Sequence, residues 1–237
     1  MDLSVVIPAY NEEKRLGKSL RRISEYLTVG CKEYEVIVVD DGSLDSTRKI
    51  LEEFADEIPN LRIISNLKNM GKGYAVKMGV MASRGGMVLF SDADLSTPIE
   101  EIEKLKKAVI VEGYDIAIGS RALTDSVIAK RQNLLREYMG KTFNFLIQSI
   151  LMKGIRDTQC GFKLFKRDAA LEIFSRQKLN DFSFDAEILY IALRKGYKIK
   201  SVPVIWYNSP NSKVRLLSSS LSMFFSLMRI RSLHKDL

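Results

Sequence analysis

Histidine is almost missing. The 237-residue chain has one, His234, near its C-terminal end. A zinc centre built on imidazoles needs several, and a Ser-His couple needs one beside a nucleophile, so both chemistries are all but excluded. Cysteine is scarce too. Cys31 and Cys160 are too few for a disulfide framework and point to a reducing compartment. No apolar run reaches the roughly eighteen residues that a membrane-spanning helix requires. No secretory leader is read, because Met1-Asp2 passes directly into the strand-like run Leu3–Ile7. The turn after that run is not G-x-G-x-x-G, which argues against a dinucleotide cofactor. Gly71-Lys72 is not a Walker A motif either: no glycine stands five residues earlier and no Ser or Thr follows.

What is present is a chain of uneven charge. The net +8 conceals 16 Lys+Arg against 20 Asp+Glu in residues 1–120, and 21 against 9 in residues 121–237. The first half carries carboxylates; the second is strongly basic and suits an anionic partner. No nucleic-acid module or interleaved aromatic motif accompanies the basic residues, so nucleic acid is not the partner expected.

Short apolar runs alternate with amphipathic stretches. Leu3–Ile7, Glu35–Val39, Leu61–Ile64, Met87–Phe90 and Asp115–Ile118 read as strands, with helices near 12–28, 45–57, 72–83 and 98–111. This order predicts an α/β fold with a mostly parallel central sheet and helices on both faces. Thr97, Pro98 and Glu100 predict a capping box at the start of the fourth helix. In the second half, 130–152 reads as one long helix, 162–166 and 198–204 as strands, and 184–195 as a helix. The tail 213–237 reads as an amphipathic helix appended to a domain spanning 1–212, itself divided near 120 into a nucleotide-binding and an acceptor-binding half.

In an open parallel sheet, ligands bind beyond the carboxyl ends of the strands. Here those ends read Pro8-Ala9-Tyr10-Asn11-Glu12-Glu13, Asp40-Asp41-Gly42-Ser43, Asp92-Ala93-Asp94 and Gly119-Ser120-Arg121. Carboxylates this close cost several kcal/mol unless a cation or a proton joins them. An all-oxygen set suits Mg²⁺ or Mn²⁺, which commonly uses one or two carboxylates plus substrate phosphates. Asp94 and Asp92 are therefore expected to hold a metal that bridges to a nucleoside diphosphate. In Asn69-Met70-Gly71-Lys72-Gly73, glycines allow close backbone approach, and Lys72 is within reach of a phosphate.

Together, PAYNEE, VVDDGSLDST, NMGKGYA, DADLSTP and GSR resemble the family 2 glycosyltransferases of the GT-A, Rossmann-like fold. RDTQCGFKLFKR, SFDAEIL and VPVIWYNSPNSKVRL are similar to the polyprenyl-phosphate branch, above all the dolichyl-phosphate β-glucosyltransferases. The resemblance implies that Pro8, Tyr10, Glu12 and Asp40 line the base and ribose pocket, with Asp41 and Lys72 close to the nucleotide. It implies that Asp92 faces the ribose or sugar and Asp94 ligates the metal. Ser96 stands where related mannosyl-phosphate synthases carry a metal-binding Gln, which removes one side-chain ligand. Arg121 matches the Gly-Ser-Arg turn, and Arg131 the position of a phosphate-binding arginine. Gln159 and Lys163, flanking Cys160-Gly161, join the substrate-binding set.

The implied reaction is inverting transfer of a hexose, with UDP-glucose the suggested donor, to a polyprenyl or dolichyl phosphate. An acceptor phosphate is largely ionised at neutral pH and needs no strong base. The alternative is a soluble family 2 enzyme acting on a sugar hydroxyl, with Asp185 or Glu187 as base. Cys160 reads as a packed thiol, not a nucleophile. A lipid acceptor implies peripheral docking on the cytoplasmic face of a membrane. Leu217, Leu221, Phe224 and Met228 recur at helical spacing in the tail, with Lys213, Arg215, Arg229, Arg231 and Lys235 at its ends.

Overall fold

The structure, a computed structural model, describes residues 1–58, 60–130, 144, 147, 148, 151–208 and 226–237. The first half alternates as predicted: β1 (Leu3–Ala9), α1 (Leu16–Gly30), β2 (Tyr34–Asp40), α2 (Thr47–Glu57), β3 (Leu61–Ser65), α3 (Lys72–Met81) and β4 (Met87–Ser91). A helical stretch centred on α4 (Ile102–Lys106) leads to β5 (Ile116–Ser120) and β6 (Val127–Lys130). After the predicted long helix, most of which lies outside the described residues, come β7 (Phe162–Lys166), α5 (Arg167–Arg176), α6 (Phe184–Arg194), β8 (Ile199–Pro203) and β9 (Ile205–Tyr207). Residues 226–233 form a further helix, α7.

Seven strands make one sheet in the order β3-β2-β1-β4-β7-β5-β8, and β6 pairs with β9 separately. All neighbours in the large sheet run parallel except β7, which is antiparallel to both β4 and β5. β7 thus separates β5 from β4, and the carboxyl end of β5 stays on the same edge as that of β4.

Alternate residues of each inner strand face opposite layers. Val6, Ile37, Val39 and Phe90 pack with Ala75 and Val76 of α3, Phe174 of α5 and Leu189 of α6. Leu227 and Ile230 of α7 join this layer. Val5, Ile7, Val36 and Val38 pack on the other face with Leu20 and Ile23 of α1, Leu51 of α2 and Ile102 of α4. Burying each large apolar side chain contributes about 1.5–3 kcal/mol, so both faces anchor the strand ends firmly.

Two helix starts differ from the sequence reading. α1 begins at Leu16, not near 12, because the preceding backbone is tied elsewhere: Asn11, Glu12 and Glu13 N–H donate to Ser43 Oγ, Thr47 Oγ1 and Asp45 Oδ2. The capping box at 97–100 does not form. Glu100 instead pairs with Arg22, Thr97 turns toward Cys160 Sγ at 3.9 Å, and the segment opens as a single 3₁₀ turn after Pro98.

The tail expectation meets the structure only over residues 226–237. Met228 is exposed, but Leu227 and Ile230 are fully buried against the domain. Leu217, Leu221, Phe224, Lys213 and Arg215 lie outside the described residues. Among the described residues no helix is long and apolar enough to cross a membrane.

Candidate active site

The β2, β1 and β4 carboxyl ends lie side by side, and antiparallel β7 starts on the same edge because Phe162 pairs with Ser91. That pairing brings Cys160-Gly161 against Asp92. The Asp92 N–H donates to Gly161 O at 3.0 Å. A Cβ on Gly161 would fall 2.0 Å from Asp92 Oδ2, so only glycine leaves the carboxylate where it is. The carboxylate receives the Lys72 ammonium at 2.8 Å. Lys72 Nζ also lies over the Phe90 ring at 5.2 Å, with Phe182 at 5.8 Å and Phe184 at 6.0 Å. Burial opposes its charge, but Asp92, Asp185 and Asp94 outweigh that and hold its pKa above the usual lysine value.

Asp94 sits two residues on. Its Oδ1 accepts the Ser96 N–H at 3.0 Å, and Leu95 between them takes a left-handed φ of 47°. A non-glycine residue in that region is uncommon and marks a turn held by its surroundings. Asp94 Oδ2 lies 3.3 Å from Arg15 Nη1, and Arg15 pairs with Glu12 at 2.7 Å. Each acid of the D-x-D pair thus faces its own cation, and both side chains retain solvent access.

Asp40 and Asp41 divide the labour. Asp40 accepts the Ser43 N–H at 3.0 Å and closes the turn after β2. Asp41 is buried and accepts Asn66 Nδ2 at 2.7 Å, Met70 N–H at 2.9 Å and Gly71 N–H at 2.8 Å. Its oxygens shape the glycine-containing loop ahead of Lys72. Gly71 has φ 105°, and a Cβ there would meet Asn180 O at 2.4 Å. Pro8, Tyr10 and Glu12 are half-buried along the adjoining β1 edge.

On the β5 side, Arg121 Nε and Nη2 each donate to buried Asp157 at 2.8 Å, and the Arg121 N–H adds a third bond at 2.8 Å. Burial would raise the Asp157 pKa, but the Arg121 charge and hydrogen bonds reverse this and hold it below the usual carboxylate range. The guanidinium also lies 5.4 Å from the Trp206 ring centroid. Lys163 is fully buried, pairs with Asp185 and donates to Cys160 O at 2.7 Å. Burial first, then the Asp157 charge, pushes the Cys160 thiol up to about 11, in keeping with a packed thiol. Gln159 is half-buried beside this cluster. Arg131 lies outside the described residues.

Both carboxyls considered as bases are buried: Asp185 holds the Lys163 ammonium, and Glu187 accepts Lys178 and Leu179 N–H at 2.9 Å. Sequence reasoning passed over Arg15, Asp157 and Trp206. The i, i+3 spacing makes the Glu12–Arg15 pair findable, but nothing local joins Arg15 to Asp94, 79 positions away. Asp157 stands inside a quoted motif, yet its partner is fixed only by the fold.

The donor set fits a divalent ion held by one or two carboxylates and completed by substrate phosphates, because Asp92 and Asp94 are accessible oxygen donors. It does not fit an all-protein cage: among the described residues no group of three His, Cys, Asp or Glu converges on a point.

The Glycosyl transferase family 2 model matches residues 4–174, which runs from β1 into α5 and takes in Asp40, Lys72, Asp92, Asp94, Arg121 and Lys163. This chain belongs to glycosyltransferase family 2. It is a glycosyltransferase of the branch whose members carry the name dolichyl-phosphate beta-glucosyltransferase. The Mus musculus protein of that name is 41% identical over 97% of this chain and 74% of its own length. The Saccharomyces cerevisiae protein is 36% identical over 97% and 74%, respectively. Among solved structures, glucosyl-3-phosphoglycerate synthase from Mycobacterium tuberculosis in complex with UDP superposes with a TM-score of 0.73 at 19% identity, covering 98% of this chain and 80% of that one. Mannosyl-3-phosphoglycerate synthase from Rubrobacter xylanophilus gives 0.73 at 18% identity, covering 100% and 76%. These likenesses establish the GT-A fold. The family 2 match ends ahead of Asp185, Glu187 and α7, which are supplied by the rest of the chain.

Proposed function

We propose that this glycosyltransferase moves glucose from UDP-glucose to a polyprenyl or dolichyl phosphate, with inversion, at the cytoplasmic face of a membrane. The burial of both candidate bases carries the choice of acceptor. Asp185 is spent on Lys163 and Glu187 on two backbone N–H groups, so neither is open to a sugar hydroxyl. An acceptor phosphate arrives already charged and asks for cations in place of a base. The relatives' names supply glucose and dolichyl phosphate, and glucosyl-3-phosphoglycerate synthase, with which the chain shares its fold, has been solved with Mn²⁺ and UDP-glucose.

Asp94 and Asp92 would hold Mg²⁺ or Mn²⁺, which when bound neutralises the diphosphate of the donor. Pro8, Tyr10, Glu12 and Asp40 are assigned to the base and ribose. Asp41 shapes the loop that presents Lys72, and the Lys72 ammonium stabilises charge on the departing UDP. Asp157 fixes the plane of the Arg121 guanidinium, which is assigned to the acceptor phosphate together with Gln159 and, on the resemblance alone, Arg131. Lys163 is fully buried against Asp185 and Cys160 O, so it braces the turn from beneath and is withdrawn from the substrate-binding set. Docking is assigned to the basic, amphipathic stretch that leads into α7.

The test is a panel of nucleotide sugars with phosphorylated and unphosphorylated polyprenols, products resolved by mass. Glucosyl-phosphoryl-polyprenol from UDP-glucose alone is the expected product. Equal transfer to the unphosphorylated alcohol would overturn the acceptor assignment.

A further inference from the structure

Beneath the Lys72 face lies a set of buried groups that the transfer chemistry does not use. Glu187 of α6 and His234, just past α7, are both buried, and His234 Nε2 lies 2.6 Å from Glu187 Oε1. Glu187 already accepts two backbone N–H groups, Lys178 on Oε1 and Leu179 on Oε2, each at 2.9 Å. Each Glu187 oxygen thus already accepts a backbone N–H, and the clasp is read with the imidazole as a third donor, its Nε2–H facing Oε1. The three donors fix the 177–180 segment to α6 and to the tail.

That segment in turn holds the start of α3. Asn180 O accepts the Gly73 N–H at 2.8 Å, and Gln177 Nε2 donates to Gly73 O at 2.9 Å. The contact is backbone against backbone: a Cβ on Gly73 would sit 2.7 Å from Leu179 O. Gly73 is the residue after Lys72, and Phe182 and Phe184 of the same stretch flank the Lys72 ammonium. A second tie from the tail, Ser226 Oγ to Asp181 Oδ2 at 3.1 Å, grips the other end of the loop.

We propose that His234 and Glu187 are positioning residues, a clasp through which the C-terminal helix holds the 177–183 loop and thereby sets the place of Lys72 and the α3 N-terminus at the donor diphosphate. The inference rests on the reading of that face as the donor site. It gives α7 a role in the reaction separate from docking. It also gives the single histidine a function that neither metal binding nor acid–base chemistry supplies.

The substitutions Glu187→Gln, His234→Leu and His234→Gln test it on the full chain. A carboxamide offers one acceptor oxygen and turns an N–H₂ toward a backbone N–H, so Glu187→Gln breaks the clasp without changing its shape. His234→Leu removes the third donor, while His234→Gln keeps an N–H of similar reach. Two readouts are taken: hydrogen exchange of peptides covering 71–76 and 177–183 without substrate, and UDP affinity by calorimetry in Mn²⁺. Glu187→Gln and His234→Leu are expected to speed exchange in both peptides and to weaken UDP binding about tenfold, the scale of one lost buried hydrogen bond. His234→Gln is expected to restore both. Unchanged exchange at 71–76 in His234→Leu, or equal defects in His234→Leu and His234→Gln, would overturn the clasp. Faster exchange with unaltered UDP affinity would instead sustain the clasp and overturn the donor-site reading. If His234→Leu does not fold, Ser226→Ala gives a milder loosening of the same two peptides, and no loosening there overturns the proposal.

Discussion

The sharpest test of the site is a single methyl group at Gly161. The Asp92 carboxylate lies across its backbone, and an alanine Cβ would stand 2.0 Å from Oδ2, 2.2 Å from Cγ and 2.5 Å from Oδ1. Ordinary contact requires about 1 Å more, so the carboxylate has to swing away. Among the described residues its side chain is held by the Lys72 pair at 2.8 Å, which is partly exposed and worth about 0.2–1 kcal/mol. Stability should therefore change little. Activity should not, because a displacement of about 1 Å in a reacting constellation costs roughly 10²-fold. Gly161→Ala is expected to melt within a few degrees of the wild type while transfer from UDP-glucose falls about a hundredfold. Thermal denaturation followed by circular dichroism and a radiolabelled-glucose assay measure the two quantities. A variant that retains transfer within about threefold of the wild type would refute the assignment of Asp92 to the reacting end of the donor.

Removing metal with a chelator is expected to abolish transfer, and adding Mn²⁺ or Mg²⁺ to restore it; Asp94→Asn should lose activity that no excess of metal recovers. The two thiols should separate by alkylation. Cys31 is half-exposed, whereas buried Cys160 is pushed up to about 11, so iodoacetamide at pH 8 should label Cys31 alone in the native protein, read by peptide mass. Asp157→Asn leaves Arg121 as a half-paired charge, and loss of one partner of a buried pair costs about 3–5 kcal/mol. Because the folded pKa of Asp157 is depressed, its contribution is full above the ordinary carboxylate value of about 4 and is lost as pH falls through the lower folded value. The urea-midpoint gap between wild type and Asp157→Asn should hold steady from pH 5 to 8 and narrow as pH falls below the ordinary carboxylate value of about 4; a gap that does not narrow there would contradict the pairing.

Much of the nucleotide half was legible because local signals and global demands agree there. Val5-Val6-Ile7, Val36 to Val39 and Val88 to Phe90 are apolar on both faces because helices cover both faces, and each run stops at polar residues where the sheet meets the ligand edge. Lys72 and the D-x-D pair follow from such stops. The misreadings have one cause: side chains took partners from distant segments. Thr97 and Glu100 have the right residue types for a capping box, yet Arg22 and Cys160 reach them first. Ser43, Asp45 and Thr47 capture the N–H groups that would have begun α1 earlier. The Arg121–Asp157 bond spans 36 positions and the Lys163–Asp185 bond 22, and periodicity carries no information about either.

The reversed strand β7 also changes what the lopsided charge means. A basic half facing an acidic half suggests that one neutralises the other at the site. The described residues pair differently. Asp92 and Asp94 are met by Lys72 and Arg15, both from the first 120 residues, while the scarce acids Asp157, Asp185 and Glu187 of the second half engage Arg121, Lys163 and His234. At the site each half therefore pairs its own charges, while Lys166–Asp115 and Lys200–Glu112 cross between the halves away from it. The excess of 21 Lys+Arg over 9 Asp+Glu beyond residue 120 is not consumed by the acidic half of the site. A phosphate-bearing lipid and an anionic bilayer, the partners proposed above, are of the sign that this surplus requires.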